Sequence, residues 1–143
     1  MEPAFWDTSA IVPLCLTQHA SARLRRLHRQ YALVVWWATS VEAHSAFARD
    51  LRSGVLTLPE FQRAKLRLES LRDIWHEVEP TESVRALAEL LLERHPLRTA
   101  DALQLAAAYA WSQNRPFRRP LISGDTRLLE AAEAVGFSII QVP

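Results

Sequence analysis

The chain has 143 residues, 49% of them hydrophobic, enough for one ordinary domain with its own core. Seventeen basic residues face sixteen acidic ones, a net charge of +1 that by itself names no polyanionic partner. No apolar run approaches the ~20 residues of a membrane span, the acidic opening MEPAFWD is unlike a signal peptide, and the single cysteine, Cys15, excludes an intrachain disulfide. These features read as a soluble cytoplasmic domain.

In chain order, AFWD (4–7) reads as a short buried strand, with TSAIVPLCL starting a helix behind it. HASARLRRLHRQ (19–30) sets Leu24 and Leu27 among arginines, a half-buried helix with a basic face. ALVVWW (32–37) is β-branched and aromatic, a strand. TSVEAHSAFARDLRSG (39–54) reads as a helix closed by Gly54. The next helix, 57–75, has Pro59 just inside its start and Thr57 and Glu60 at capping-box spacing. HEVEP (76–80) suits a short strand and TESVRALAELLLERH (81–95) an amphipathic helix. TADALQLAAAYAW (99–111) is apolar almost all round, as a buried helix is, yet carries Asp101 in its first turn. The strand PLIS (120–123), the helix GDTRLLEAAEAVG (124–136) and the strand FSIIQV (137–142) complete the chain. Strands alternating with helices predict an α/β domain with a mainly parallel sheet.

Several familiar chemistries lack their residues. Lys65 is the only lysine and no glycine precedes it at P-loop spacing; Gly54, Gly124 and Gly136 lie too far apart for a dinucleotide fingerprint. Cysteine-based zinc sites and a G-x-S-x-G elbow are likewise missing. Four acids remain. Asp7 ends the first strand, Glu42 lies in the first turns of the helix after the second, Asp101 opens the buried helix, and Asp125 follows PLIS by two residues.

In open parallel sheets, functional groups gather outside the carboxyl ends of the strands. Each acid also has an ordinary structural role open to it. Asp7 and Asp125 suit helix N-caps, Glu42 stands three residues after Thr39 as in a capping box, and Asp101 suits the positive end of a helix dipole. Convergence would tip the balance: two carboxylates ~5 Å apart repel by about 3 kcal/mol at an effective dielectric of ~20. Four converging acids therefore either protonate or hold a cation, and all-oxygen donors suit Mg²⁺ or Mn²⁺.

FWDTSAIVPL, ATSVEAHSAFAR, LRTADALQLAAAYA and LISGDTRLLEAAEAVGF fall in the order and approximate spacing of the PIN-domain ribonucleases. The chain resembles most closely the VapC-type toxins of bacterial toxin–antitoxin modules, over nearly its whole length, as a single domain (1–143). The resemblance implies a three-layer α/β/α sandwich around a mainly parallel sheet. It also implies endonucleolytic cleavage of RNA that depends on Mg²⁺ or Mn²⁺, leaving 5′-phosphate and 3′-hydroxyl ends. Asp7, Glu42, Asp101 and Asp125 would be its catalytic, metal-holding acids, with Ser9 and Ser123 as hydrogen-bonding supports behind them. Such a site needs no side-chain nucleophile, since a metal-held water supplies it.

With four acids committed to metal, twelve remain against seventeen basic residues, a modest +5. Arg26 in the cluster at 23–29, Arg118 in RPFRR (115–119) and Arg98 beside Asp101 are the candidate RNA contacts. The resemblance further implies a homodimer and a VapB-like antitoxin; the apolar stripes of 57–75 (Leu58, Phe61, Leu66, Leu68) and of the first helix (Ile11, Val12, Leu14) suit either an interface or the core. Two rivals stand beside the toxin: a PIN nuclease of ordinary RNA processing, and a PIN-like module that binds RNA or protein without cutting. All four acids being present argues against the second.

Overall fold

The structure, a computed structural model, describes residues 1–16 and 20–143; His19, expected to begin the second helix, lies outside the described residues. It contains strands β1 (Glu2–Trp6), β2 (Tyr31–Trp36), β3 (His76–Val78), β4 (Pro120–Ser123) and β5 (Ser138–Gln141). The helices are α1 (Thr8–Cys15), α2 (Ala22–Gln30), α3 (Thr39–Arg52), α4 (Leu58–Arg72), α5 (Glu82–Arg94), α6 (Thr99–Trp111) and α7 (Thr126–Val135).

Successive side chains of a strand face opposite sides of the sheet, and here both sides are apolar. Ala4 and Trp6 of β1, Leu33 and Val35 of β2 and Ile122 of β4 join one core, packed with residues of α1–α4 such as Ile11, Leu24, Phe47 and Leu68. Phe5, Val34, Trp36 and Leu121 join the other, packed with α5–α7 through Val84, Leu91, Leu105 and Leu128. A sheet buried on both faces is the setting in which purely parallel ladders occur. Every pairing is parallel, in the order β3-β2-β1-β4-β5. The expected α/β/α sandwich with its parallel sheet is the fold observed.

The order reverses direction between β1 and β4: the chain builds outward to β2 and β3 on one side and to β5 on the other. Such a switch point opens a crevice at the carboxyl ends of the two strands, because their connections leave in opposite directions.

Local sequence fixes the helix starts. The Thr57 hydroxyl accepts from Glu60 N (3.3 Å) while the Glu60 carboxylate accepts from Thr57 N (2.9 Å), the reciprocal box expected for α4. Gly136 closes α7 at φ 113°, a left-handed conformation that costs glycine little. Boundaries differ from expectation where packing overrides pattern. α4 stops at Arg72 rather than continuing to Trp75, because Trp75 turns into the core and His76 must pair with Val34. Thr39 and Glu42 form no capping box: Ala38 is the N-cap of α3, and the Thr39 side chain is fully buried. Of the apolar stripes, Ile11 and Leu68 are core, whereas Leu58 and Leu66 are exposed. Trp36 is buried and Trp37 half exposed.

Candidate active site

Asp7 is the first residue beyond β1. Its backbone N–H donates to Ile122 O (3.0 Å), so the end of β1 is tied to β4. The carboxylate is buried, and its Oδ2 accepts three hydrogen bonds, from Ser9 N (3.3 Å), Ser9 Oγ (2.6 Å) and Ser123 Oγ (2.9 Å). The same hydroxyls also accept: Ser9 Oγ from Gly124 N (2.8 Å) and Ser123 Oγ from Asp125 N (2.9 Å). Both serines are thus hydrogen-bonded to Asp7. A Cβ on Gly124 would stand a tight 3.3 Å from Val142 O and in ordinary contact with Ser9 Oγ at 3.5 Å.

Asp125 caps α7, its Oδ1 accepting from Arg127 N (2.9 Å) and Leu128 N (3.2 Å). Asp101 stands at the third position of α6, buried, with Oδ2 accepting from Arg98 N (3.4 Å). The exposed Arg98 guanidinium spans the two acids, 3.6 Å from Asp101 Oδ2 and 3.7 Å from Asp125 Oδ2. Such an exposed pair contributes little stability, but it shows that one cation reaches both carboxylates at once.

Glu42 is held from two other helices. Its Oε1 accepts from Thr8 Oγ1 of α1 (2.9 Å) and from Gln104 Nε2 of α6 (2.7 Å). Gln104 is 1% exposed, and its Nε2 also reaches Thr8 Oγ1 (2.9 Å) and Thr39 Oγ1 (3.2 Å). Among the described residues its own Oε1 is buried without a partner, at a cost of about 1–3 kcal/mol. Thr8, Thr39 and Gln104 are site residues that pattern reading passed over. The available signal was a lone uncharged polar residue, one turn beyond Asp101, in an otherwise apolar helix.

Burial and neighbouring charge act together on Asp7, Glu42 and Asp101. Burial pushes the Asp7 carboxyl above its ordinary 3.8, against the pull of its serine hydrogen bonds and with help from the Asp101 charge. Burial likewise raises Glu42, opposed by Thr8 and Gln104 and reinforced by the charges of Asp7 and Asp101. Asp101 is raised by burial and by the Asp125 charge, with Arg98 opposing. Each carboxylate has one oxygen engaged by hydrogen bonds. Among the described residues, Asp7 Oδ1, Glu42 Oε2 and Asp101 Oδ1 accept none, and Asp125 Oδ2 meets only Arg98.

Among the described residues, no three acidic, histidine or cysteine side chains stand close enough to hold a single ion between them. Arg98 is the one RNA-contact candidate brought to the carboxylates. Arg118, stacked over Phe117 at 5.2 Å, precedes β4 and so sits at the opposite, amino edge of the sheet. Arg26 is exposed on α2, which leads into the amino end of β2. A cleft of about 600 Å³ beside β3, lined by His76, Glu79, Trp111 and Arg119 among others, includes none of the four acids.

The chain superposes on PAE2754 from Pyrobaculum aerophilum with a TM-score of 0.67 at 19% identity, covering 96% of this chain and 89% of that one. FitAcB from Neisseria gonorrhoeae gives 0.67 at 16% identity, over 96% of each chain. The fold is the PIN-like one. A toxin–antitoxin complex from Klebsiella pneumoniae matches it at 0.59 and 14% identity, over 87% of this chain and 88% of that one. No family model and no curated protein matches the sequence. At these identities the likeness is one of fold, and the PIN-like frame accounts for where the acids stand: Asp7 and Asp125 flank the β1/β4 switch point, with Glu42 and Asp101 reaching it from helices on opposite faces of the sheet.

Proposed function

We propose that this chain is a Mg²⁺- or Mn²⁺-dependent endoribonuclease, the toxin of a toxin–antitoxin pair. One observation carries the reading: four carboxylates from four separate stretches of chain share an edge of the sheet, each with one oxygen engaged and one left for a ligand. Buried acids that raise one another's pKa are costly to the empty protein, and a cation repays that cost. In kind, though not in demonstrated spacing, the donor set is one that Mg²⁺ or Mn²⁺ takes, hard oxygens only. When bound, such an ion supplies a water acidic enough to attack a phosphodiester and a charge to steady the departing oxyanion.

The chain's own residues do the rest. Ser9 and Ser123 fix Asp7 so that Oδ1 is the oxygen presented. The α7 cap does the same for Asp125, and the α6 first turn for Asp101. Arg98, exposed beside Asp101 and Asp125, would be the cation that meets the scissile phosphate; Arg26 and Arg118 would meet only flanking RNA. The antitoxin partner is supported by the likeness to a toxin–antitoxin complex, and a homodimer and a cytoplasmic location go with the same reading. Among the described residues, no helix is long and apolar enough to cross a membrane. Cys15 is a buried free thiol, pushed up to about 12 by burial, and suits a reducing compartment.

The test is cleavage of a structured RNA pool by purified, partner-free protein in Mg²⁺, Mn²⁺ or EDTA, with Asp101→Asn alongside and product ends mapped. Cutting that needs the metal and Asp101, and leaves 5′-phosphates, is expected. Metal-loaded protein that binds RNA without cutting it would instead favour a silent binding module.

A further inference from the structure

The segment that joins α6 to β4, residues 112–119, reaches the sheet at its amino edge, opposite the four acids. It ends in a tight turn: Arg119 N donates to Pro116 O (2.9 Å), with Phe117 and Arg118 between them. Arg118 holds φ 64°, a left-handed conformation in which the third place of such a turn favours glycine or asparagine. The turn is pinned on both sides. Arg119 O accepts from Ser138 N of β5 (2.9 Å), and Pro116 lies against Gly136, where a Cβ would stand 3.2 Å from Pro116 Cγ.

This fixed turn presents an aromatic ring and unpaired charge. Phe117 is 76% exposed, more than any other large hydrophobic side chain described except Met1. The Arg118 guanidinium stands over its ring at 5.2 Å, and Arg119, next in the chain, stands over the Trp111 ring at 5.2 Å. Among the described residues Arg115, Arg118 and Arg119 form no ion pair, and the sequence has no acid between Asp101 and Asp125. Glu77 and Glu79 share a cleft with Arg119 and Trp111, but not with Phe117 or Arg118. A turn that served only as a connection would take glycine at 118 and a polar residue at 117.

Exposed rings and guanidinium planes are what unpaired bases stack on, and free arginines beside them meet the phosphates. A lipid surface is the other anionic partner, but membrane binding scales with buried apolar area, and Phe117 is the only large apolar side chain of the turn. We infer that Phe117 and Arg118, with Arg115 two residues before, form a second contact for single-stranded RNA, remote from the carboxylates. One base stacks at Phe117 and the arginines hold the adjoining phosphates. The inference rests on the reading of RNA as the substrate, and adds which part of it the protein grips. The five residues of β1 put the two edges about 17 Å apart. At ~3.4 Å per stacked nucleotide, an RNA reaching from the acids to the turn needs an unpaired flank on the order of five nucleotides.

The experiment is fluorescence anisotropy of a labelled single-stranded RNA of about 12 nucleotides, titrated with the full chain in EDTA over a series of salt concentrations. Wild type, Phe117→Ala and Arg118→Gly are compared, each with its Tm. Phe117→Ala is expected to weaken binding about tenfold, as for one lost stacked base, with the salt dependence kept. Arg118→Gly should weaken it several-fold and lower the slope of log K against log salt by about 0.7, one phosphate contact on a single strand. It should hold its Tm, since φ 64° costs glycine little. A turn that matters only to the fold would show the reverse, a lower Tm with RNA affinity kept. Unchanged affinity in both variants overturns the turn as an RNA contact and leaves the carboxylate reading standing. So does wild-type protein that binds phosphatidylserine vesicles through Phe117 but not the RNA, which would assign the turn to a lipid surface. Wild-type protein that binds neither overturns it too, and the cleavage test above then decides the ribonuclease reading by itself.

Discussion

Replacing Asp7 by asparagine should make the metal-free protein more stable while destroying its function. Asparagine caps a helix about as well as aspartate, so the start of α1 survives, and an amide oxygen can still accept from Ser9 and Ser123. What is lost is charge assistance in three hydrogen bonds, at most about 1 kcal/mol each. What is relieved is the desolvation of a carboxylate only 6% exposed, several kcal/mol for a buried ion. Repulsion from the Asp101 charge, the smallest of these contributions, is relieved as well. Burial keeps the Asp7 carboxyl above 3.8 despite all three hydrogen bonds, so relief outweighs loss. A net gain of about 1–2 kcal/mol corresponds to a rise of roughly 3–6 °C in Tm for a chain of this size. The pH dependence follows from the sign of that shift. Below the unfolded value of 3.8 the wild-type group is neutral in both states and the gain vanishes; it grows as pH rises through the raised native value. Scanning calorimetry in EDTA at pH 4 and pH 7.5 reads this directly. A Tm for Asp7→Asn below wild type at pH 7.5 would refute the reasoning, because the hydrogen bonds would then outweigh desolvation.

Arg98→Ala should tighten Mn²⁺ binding about two- to fivefold, as expected for removing an exposed competing cation, while weakening RNA binding; fluorescence anisotropy with labelled RNA measures the second effect. Ser9→Ala removes the hydroxyl that donates to Asp7 Oδ2 at 2.6 Å. Its RNA cleavage rate should fall roughly tenfold, as for loss of an outer partner of a metal ligand, with the far-UV spectrum unchanged. Thr57→Ala breaks the α4 capping box, far from the carboxylates, and should cost about 1 kcal/mol in urea unfolding with cleavage unaltered.

Much of this architecture is legible in the sequence because local and global signals agree. The Thr57/Glu60 box, the Gly136 stop and the apolar 99–111 helix each appear at the expected place. Asp7 and Asp125 illustrate a harder point. Their two readings, helix cap and site acid, compete on paper, yet the structure lets both hold, because a carboxylate has two oxygens and a cap uses one. Asp101 is similar, serving the first turn of α6 through Oδ2 alone. Gln104 is visible in the sequence as a polar residue within an apolar helix, but its contacts are not. Its partner Glu42 lies 62 residues away, and the three acceptors around Nε2 come together only when α1, α3 and α6 meet over the sheet. Periodicity reports which face of a helix is buried but not which polar group waits there. The arginine clusters mislead in the same way: RPFRR is dense in charge, but the direction of β4 carries it to the far edge.

In the proposed function, Asp7, Glu42, Asp101 and Asp125 work as one cation-holding unit. The most direct test compares Mn²⁺-supported RNA cleavage rates for Asp7→Asn, Glu42→Gln, Asp101→Asn and Asp125→Asn with the double variant Asp7→Asn/Asp101→Asn. The account predicts a loss of about two orders of magnitude or more for Asp7→Asn and for Asp101→Asn, and a double variant little worse than either, since residues that act as a unit are strongly non-additive. Folded Asp7→Asn or Asp101→Asn protein cutting RNA at the wild-type rate would contradict it.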